Sequence, residues 1–211
     1  MQPNTAPSKE QVTVRWPVIA FLFAYTLSIR LLPFVLSRFG LPLDMSVSIY
    51  PWNFSPLIPL CLFGGAFYSS PRTAIWLPVS MMFLGDVAIL AVTGRPDLIS
   101  VPVSLSVYVA TAICAALGLL LKTSQSPARL VAIGAVSCVL FFLITNTVVW
   151  QAYPTYPDTP AGLLACYAAG LPFLRNTVLS TILFGAVLFS PLSVRAAVRS
   201  APSPQPALLS E

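Results

Sequence analysis

The sequence contains no histidine, and only 8% of its 211 residues are charged. Without histidine, the usual nucleophile–base dyads of hydrolases are missing, and zinc or haem lacks its commonest ligand. A soluble domain needs roughly 25% charged residues to cover its surface. The low charge therefore excludes a soluble protein and makes the lipid bilayer its solvent. The net charge of +5 then bears on membrane orientation and does not indicate a nucleic-acid partner.

Cysteine pairs and nucleotide-binding motifs are also missing. The four cysteines lie singly in apolar runs without any C-x-x-C pair, so we interpret them as small apolar residues and expect no metal and no cofactor. No G-x-x-x-x-G-K-[ST] motif occurs, so ATP-driven transport would need a partner's energy. Asp86 is the only acid within an apolar run, which leaves no acid pair for an aspartic protease. We therefore expect no enzyme, and a proton-coupled mechanism would depend on Asp86.

Long apolar runs predict an all-α fold, a polytopic membrane bundle of six transmembrane helices in one domain. A span needs about 20 apolar residues, and five runs meet this length: Trp16–Leu36, Thr73–Val92, Val101–Leu121, Arg129–Trp150 and Pro172–Leu192. A sixth run, Pro56–Ser69, is too short for a straight crossing. It is either a short tilted span, or a broken helix whose missing length is supplied by the preceding YPWNFSP segment dipping inward.

Six spans place both termini on one side of the membrane. With the N-terminus inside, the outer loops hold two cations, Arg38 and Arg95, and the inner side holds seven: Lys9, Arg15, Arg72, Lys122, Arg129, Arg195 and Arg199. This excess is the positive-inside pattern, so we expect a multi-pass protein with cytoplasmic termini. The transmembrane domain is expected over residues 14–196. The tails, residues 1–13 and 197–211, are rich in Pro, Ser and Ala and are expected to be disordered.

Polar side chains within the predicted spans gather at one depth, about 10 Å or less from the outer end of each helix. Arg175 and Asn176 reach this depth because the last span, Pro172–Leu192, is taken to begin at Pro172, a favourable first helical position. Ionisable groups in a membrane are costly and are therefore functional candidates. The candidate substrate-binding residues are Asn53 and Trp52 of the YPWNFSP segment with Arg30, Asp86, Asn146, Trp150, Arg175, Asn176 and Tyr167.

Two interpretations of this polar layer remain open. In the first, the layer lines an outward-open pocket walled by aromatic residues. In the second, it is a structural plug in which Asp86 pairs with Arg30 or Arg175. Because two arginines face one acid, one cation is left over in the pocket. This favours an anionic or zwitterionic, vitamin-like solute over a bare metal ion.

A stripe of small residues lies on the first predicted helix. Ala20, Ala24 and Ser28 are four residues apart, so they share one helix face. Small residues at this spacing let two helices approach closely. The stripe is either an interface for a partner protein or part of the internal packing.

Seven motifs occur in order between residues 30 and 189. They are RLLP, NFSP, LFGGAF, LPVSMMFLGD, FFLITNTVVW, YPDTPAGLLACYAAGLPFLRNT and LFGAVLF. Together they resemble an uncharacterised bacterial family of six-helix transport proteins, classed as a domain of unknown function. That family is in turn similar, more distantly, to the substrate-binding S components of energy-coupling-factor (ECF) vitamin transporters.

The resemblance implies an S-component-like protein of the bacterial inner membrane. Such a protein binds its solute in an outward pocket and docks onto a separate coupling protein that carries two ATPase subunits. The family comparison assigns this docking to the small-residue stripe that includes Ala20 and Ala24. The missing histidine argues against nickel or cobalt as the substrate. The alternative function is a non-transporting membrane scaffold or assembly factor, for which a sealed, ion-paired polar layer would be expected.

Overall fold

The computed structural model describes residues 12–41, 53–191 and 193–196 as six α-helices, two short 3-10 turns and one pair of strands. The helices are α1 (Trp16–Arg38), α2 (Leu57–Phe67), α3 (Pro71–Thr93), α4 (Val101–Gly118), α5 (Pro127–Ala152) and α6 (Pro160–Leu188). A 3-10 turn, Leu119–Lys122, continues α4. All helices except α2 are long and apolar enough to cross a membrane. The prediction of an all-helical membrane protein with six helices is thus confirmed.

Local sequence signals set the helix starts. Ser70, Ser126 and Thr159 each accept a hydrogen bond from a backbone N–H in the first turn of the helix that follows. The five long helices also carry proline in their first two positions, where a missing N–H costs nothing. These three caps stand at the edges of apolar runs and favour the starts of α3, α5 and α6.

Helix α6 begins earlier than predicted. It starts at Pro160 behind the Thr159 cap and continues through Pro172 to Leu188 without a break. The expected start at Pro172 is therefore wrong. An internal proline is tolerated in a membrane helix because neighbouring groups satisfy the freed backbone carbonyl. As a consequence, Arg175 and Asn176 lie near the middle of α6 and not in its first turn.

A two-stranded antiparallel ribbon joins the two ends of the described chain. Strand β1 (Val12–Val14) pairs with β2 (Val194–Ala196), and the Arg15 N–H donates to the Ser193 carbonyl at 2.9 Å. Both flanks therefore leave the bundle at one end, here called the ribbon end, as an even number of spans predicts. The opposite end is called the far end. Residues 12 and 13 belong to β1, so the expected tail boundary at residue 13 is wrong, and the other predicted tail residues lie outside the described residues.

The five long helices form a ring around α2. Neighbours in the ring follow the order α1, α3, α4, α5, α6, and α2 contacts all five. The two ends of this order, α1 and α6, meet where the rings of Tyr25 and Phe184 lie 5.4 Å apart. Every residue of α2 from Leu57 to Ala66 is buried. The short helix is therefore the centre of the hydrophobic core.

Two glycines allow α2 and α4 to pack backbone against backbone. A methyl group on Gly118 would lie 2.8 Å from the carbonyl oxygen of Cys61 and from the Cα of Leu62, and one on Gly65 would meet the backbone of Gly118 even more closely. The apolar core continues on both sides of α2, and its four cysteines are all buried and unpaired. This agrees with their interpretation as small apolar residues.

Helix α2 occupies only half of the height of the ring. Its 11 residues rise about 16 Å, whereas a hydrocarbon core is about 30 Å thick. At the ribbon end, Tyr68 stacks on Trp16 with ring centroids 5.6 Å apart. At the other end of α2, the Phe54 carbonyl accepts a hydrogen bond of 3.3 Å from the hydroxyl of Tyr25, near the middle of α1. The chain at Phe54 is non-helical at this depth, which matches the broken-helix interpretation.

Candidate functional site

The Asp86 carboxylate on α3 connects three helices of the ring. One of its oxygens forms an ion pair with the Arg30 guanidinium of α1, and the other accepts a hydrogen bond of 2.5 Å from the Tyr108 hydroxyl of α4. The side chain of Asp86 is only 8% exposed, so its charge depends on these partners. We call Arg30, Asp86 and Tyr108 the Asp86 triad.

Arg30 reaches Asp86 through the space left by Gly85. A methyl group on Gly85 would lie 3.0 Å from both Cδ and Nε of Arg30. The Nη1 of Arg30 is 3.9 Å from the Met82 sulfur, and its Nε is buried without a hydrogen-bond partner. Of the two arginines considered for Asp86, the structure selects Arg30. Sequence reasoning missed Tyr108 and Gly85, because only the register between helices brings them to the carboxylate.

A second polar group joins α5 to α6. The hydroxyls of Thr147 and Tyr167 lie 2.7 Å apart, and the Cys166 thiol donates to the Asn146 carbonyl at 3.5 Å. A methyl group on Gly170 would lie 2.8 Å from the Asn146 Oδ1. The Nδ2 of Asn146 donates to the carbonyl of residue 142 in its own helix. The Asn146 side chain therefore packs where α5 and α6 come close together. Its Nδ2 is bonded within α5, and its Oδ1 faces Gly170 of α6.

These two groups lie at similar heights in the ring. Arg30, Asp86 and Asn146 are about 9–12 Å from the far ends of α1, α3 and α5 at 1.5 Å per residue. Within the described residues, no hydrogen bond links the Asp86 triad to the second polar group, between α5 and α6. The predicted polar layer is thus present for these residues, but it is divided between two helix contacts.

Arg175 lies outside both groups. Its height follows from the register of α6 on α5, in which Gly170 faces Asn146 and Thr181 contacts the Cys138 thiol at 3.4 Å. Arg175 lies between these contacts and is therefore level with the middle of α5. Its side chain is exposed and makes no ion pair or hydrogen bond with the described residues. Asn176, the next residue, is half-buried and bonded.

Asn53 has a conformational role of its own. It is exposed, its φ is +61°, and its carbonyl accepts the Ser55 N–H at 3.0 Å. Asparagine tolerates this left-handed conformation better than most residues, so it turns the chain into α2. Trp52 lies outside the described residues. In the second proline-rich segment, the Trp150 indole donates to the Pro157 carbonyl at 2.9 Å, which fastens that loop to the end of α5.

A groove of about 320 Å³ lies between α3 and α4 beside the Asp86 triad. Its lining is Phe83, Asp86, Val87, Leu90, Ile99, Val101, Ser104, Leu105 and Tyr108. Because Phe83, Val101 and Leu105 are strongly exposed, the groove opens to the outside of the ring. Among the residues with described positions, no three His, Cys, Asp or Glu side chains lie close enough together to hold a metal ion.

The turn between α3 and α4 contains the other ion pair seen in the described chain. Arg95 donates to Asp97 at 2.6 Å, and both side chains are exposed. This hydrogen bond holds the pKa of the Asp97 carboxyl below its ordinary value. The acid is therefore matched locally and is not available to Arg175.

The small-residue stripe of α1 faces away from the core. Ala20, Ala24 and Ser28 are all exposed, whereas Ile19 and Leu22 on the other side of the helix are buried. Because all three side chains are exposed, packing among the described residues does not account for the stripe.

Together, these features define a multi-pass α-helical membrane protein with a central half-length helix and polar ties between its outer helices. The chain belongs to a family of unknown function, DUF6580, whose profile matches residues 10–203. The prediction of an uncharacterised family is therefore confirmed. No curated protein and no solved structure matches the chain.

Proposed function

We propose that the protein is a transport component that binds a small anionic or zwitterionic solute in a pocket entered from the far end. The observation that carries this proposal is the half-length α2, preceded by non-helical chain at the level of Tyr25. Non-helical backbone at membrane depth is tolerated only where it is buried in protein or lines a water-filled cavity. Interrupted helices that end near the membrane midplane are also typical of solute sites in transporters.

Free hydrogen-bonding capacity at the start of α2 supports this location. No side chain caps the first turn of α2, and Pro59 contributes no N–H there. On α4, Thr111 lies two turns from Gly118 on the same face, which is the face that packs on α2. The Thr111 hydroxyl is buried without a hydrogen-bond partner. By the register at Gly118, it is level with the first residues of α2.

The energy source and the membrane context belong to the same proposal. In the ECF-like arrangement, a separate coupling protein with ATPase subunits docks on the exposed stripe of Ala20, Ala24 and Ser28. The ribbon end then lies in the cytoplasm of a bacterium and the far end outside the inner membrane. The excess of Lys and Arg at the ribbon end supports this orientation.

A membrane scaffold or assembly factor is the second candidate. The observation that favours it is the Asp86 triad, in which both carboxylate oxygens of Asp86 are bonded, one to Arg30 and one to Tyr108. A sealed layer of this kind ties helices together without leaving the carboxylate free for a ligand. The two candidates differ in whether water reaches the chain next to α2.

Cysteine labelling distinguishes these candidates, because the four native cysteines are buried and give a low background. We expect Ser55→Cys, a nearly isosteric change beside α2, to react in intact cells with a membrane-impermeant maleimide. The first control, Leu179→Cys, lies on an exposed apolar face of α6 and should not react. The second, Ser124→Cys in the turn at the ribbon end, should react only after permeabilisation.

The outcomes separate access from orientation. If Ser55→Cys reacts in neither condition, the site is sealed and the scaffold is favoured. If it reacts only after permeabilisation, the pocket opens to the cytoplasm. Mass spectrometry of small molecules that co-purify with the protein then identifies the solute, and Asn53→Ala should reduce the amount recovered.

A further inference from the structure

One face of α6 carries a charged residue in an apolar surrounding. The buried side of the helix includes Cys166, Gly170 and Ser180. Arg175 lies on the opposite side, flanked by side chains that are all more than one-third exposed: Leu164, Leu171, Val178, Leu179, Ile182 and Leu183. The apolar neighbours place this face against lipid or against another membrane protein.

No acid in the described chain compensates the Arg175 charge. Asp86 is paired with Arg30, and Asp97 is paired with Arg95. Asp158 lies in the loop before α6, 17 residues from Arg175, or nearly five helical turns at 3.6 residues per turn. An arginine near the middle of a membrane helix is costly unless it is paired or reaches water. Among the described residues, Arg175 is therefore a cation without an ionic partner, at a depth where a partner would stabilise it most.

The same face has the spacing of a helix–helix seam. Exposed residues recur at alternating intervals of four and three along the whole of α6: Ala161, Ala165, Ala168, Pro172, Arg175, Leu179, Ile182 and Ala186. This is the spacing at which two helices pack along their length. The half before Arg175 consists of alanines and a proline, and small residues let a second backbone approach closely. The seam therefore has small residues that allow a second helix to pack closely, and one positive charge, Arg175, that an acidic residue of that helix would neutralise.

We propose that this face of α6 docks a transmembrane helix of a different protein, which carries an aspartate or glutamate level with Arg175. A second copy of this chain does not fit, because Asp86 is the one acid within its described α-helices and is already bonded and buried. The inference does not depend on transport. A scaffold and a transport component would use the same face.

Synthetic transmembrane peptides test the charge requirement directly. The probe is a leucine–alanine helix with one central glutamate, and its matched control has glutamine at that position. Association is measured by energy transfer to labelled protein in phosphatidylcholine vesicles. We expect the glutamate peptide to bind about tenfold more tightly, since interhelical polar contacts in membranes have about this strength. Arg175→Gln should remove the preference, Arg175→Lys should keep most of it, and Val178→Gln, beside the seam, should leave it unchanged.

A further variant tests the seam itself. Ala165→Leu fills the space for the second backbone and should weaken binding of both peptides, while thermal unfolding stays unchanged because Ala165 is exposed. Equal binding of the two peptides to the parent protein would overturn the proposal, as would a preference that survives in Arg175→Gln. Self-association that depends on Arg175 would also overturn it. So would loss of the glutamate preference on adding phosphatidylglycerol, which would assign Arg175 to lipid headgroups.

Discussion

Asp86 is the residue on which the polar contacts between α1, α3 and α4 depend. Its two oxygens are used by side chains from two different helices. A methyl group on residue 85 would lie 3.0 Å from the Arg30 side chain, so Arg30 would have to shift to keep its contact with Asp86. One arrangement thus contains four residues from three helices, Arg30, Gly85, Asp86 and Tyr108. Replacing any one of them changes the packing or the hydrogen bonding of the others.

Removal of the Asp86 charge should destabilise the protein more than removal of the whole ion pair. We expect Asp86→Asn to lower the free energy of unfolding by about 3 kcal/mol, the lower end of the range for a broken buried pair, because Arg30 is 29% exposed. The double variant with Arg30→Gln should lose less, since no charge is stranded. Tyr108→Phe should cost about 1.5–2 kcal/mol, the lower part of the range for a hydrogen bond to a charged group.

Unfolding in mixed detergent micelles measures these differences. Equal losses in the single and double variants would show that Arg30 and Asp86 do not interact. A loss in Tyr108→Phe as large as that in Asp86→Asn would instead make the tyrosine the main partner of the carboxylate.

The sequence was sufficient to select Arg30, Asp86 and Asn146 as unusual residues, because polar side chains in apolar runs are visible without a structure. It was not sufficient to choose the partner of Asp86. Arg175 entered the same layer only because Pro172 was taken as a helix start. Tyr108, Gly85 and Gly170 were missed for a different reason, since their roles arise from register between helices that are distant in sequence.

Among the elements, α2 has the most unusual position. It is as short as a buried helix of a soluble protein, and it contacts all five long helices. Its approach to α4 depends on Gly65 and Gly118. The lengths of the apolar runs predicted five long spans and one run that is too short, the segment that forms α2. The contact between Gly65 and Gly118 could not be predicted from the sequence, because it depends on how α2 and α4 pack.

Adding one methyl group at Gly118 should disrupt this element. We expect Gly118→Ala to destabilise the protein by about 1–3 kcal/mol or more, the cost of overpacking, because the new atom meets backbone atoms at 2.8 Å. The matched control is Gly185→Ala in α6, where no atom lies within 4 Å of the added methyl group. That change should be neutral or slightly stabilising, since alanine favours helix by up to about 1 kcal/mol.

Thermal unfolding of the two glycine variants in detergent provides the comparison. If both variants melt at the temperature of the parent, α2 and α4 are not in backbone contact. A loss in Gly185→Ala alone would contradict the packing of α6 described above.

At the scale of the whole molecule, the ribbon between β1 and β2 fixes both flanks of the bundle at one end. A reporter fused after Arg199, downstream of β2, and one inserted between Lys122 and Arg129 should therefore agree, because β2 and the turn after Lys122 lie at the ribbon end. We expect both to read cytoplasmic, and a reporter near Asp158 to read external, from the positive-inside distribution of Lys and Arg.

The reporters separate two parts of this prediction. Disagreement between the first two positions would contradict the six-helix arrangement itself. Agreement with inverted readings at all three positions would leave the fold intact and place the far end in the cytoplasm.

The ribbon also constrains the order of assembly during synthesis. Val12–Val14 leaves the ribosome first among the described segments, and Val194–Ala196 leaves last. The strands can pair only when translation of the domain is complete and α6 has entered the membrane. A chain stopped after Leu188 would contain all six helices yet lack this closure. Such a truncation would therefore separate the insertion of the helices from the pairing of the two strands.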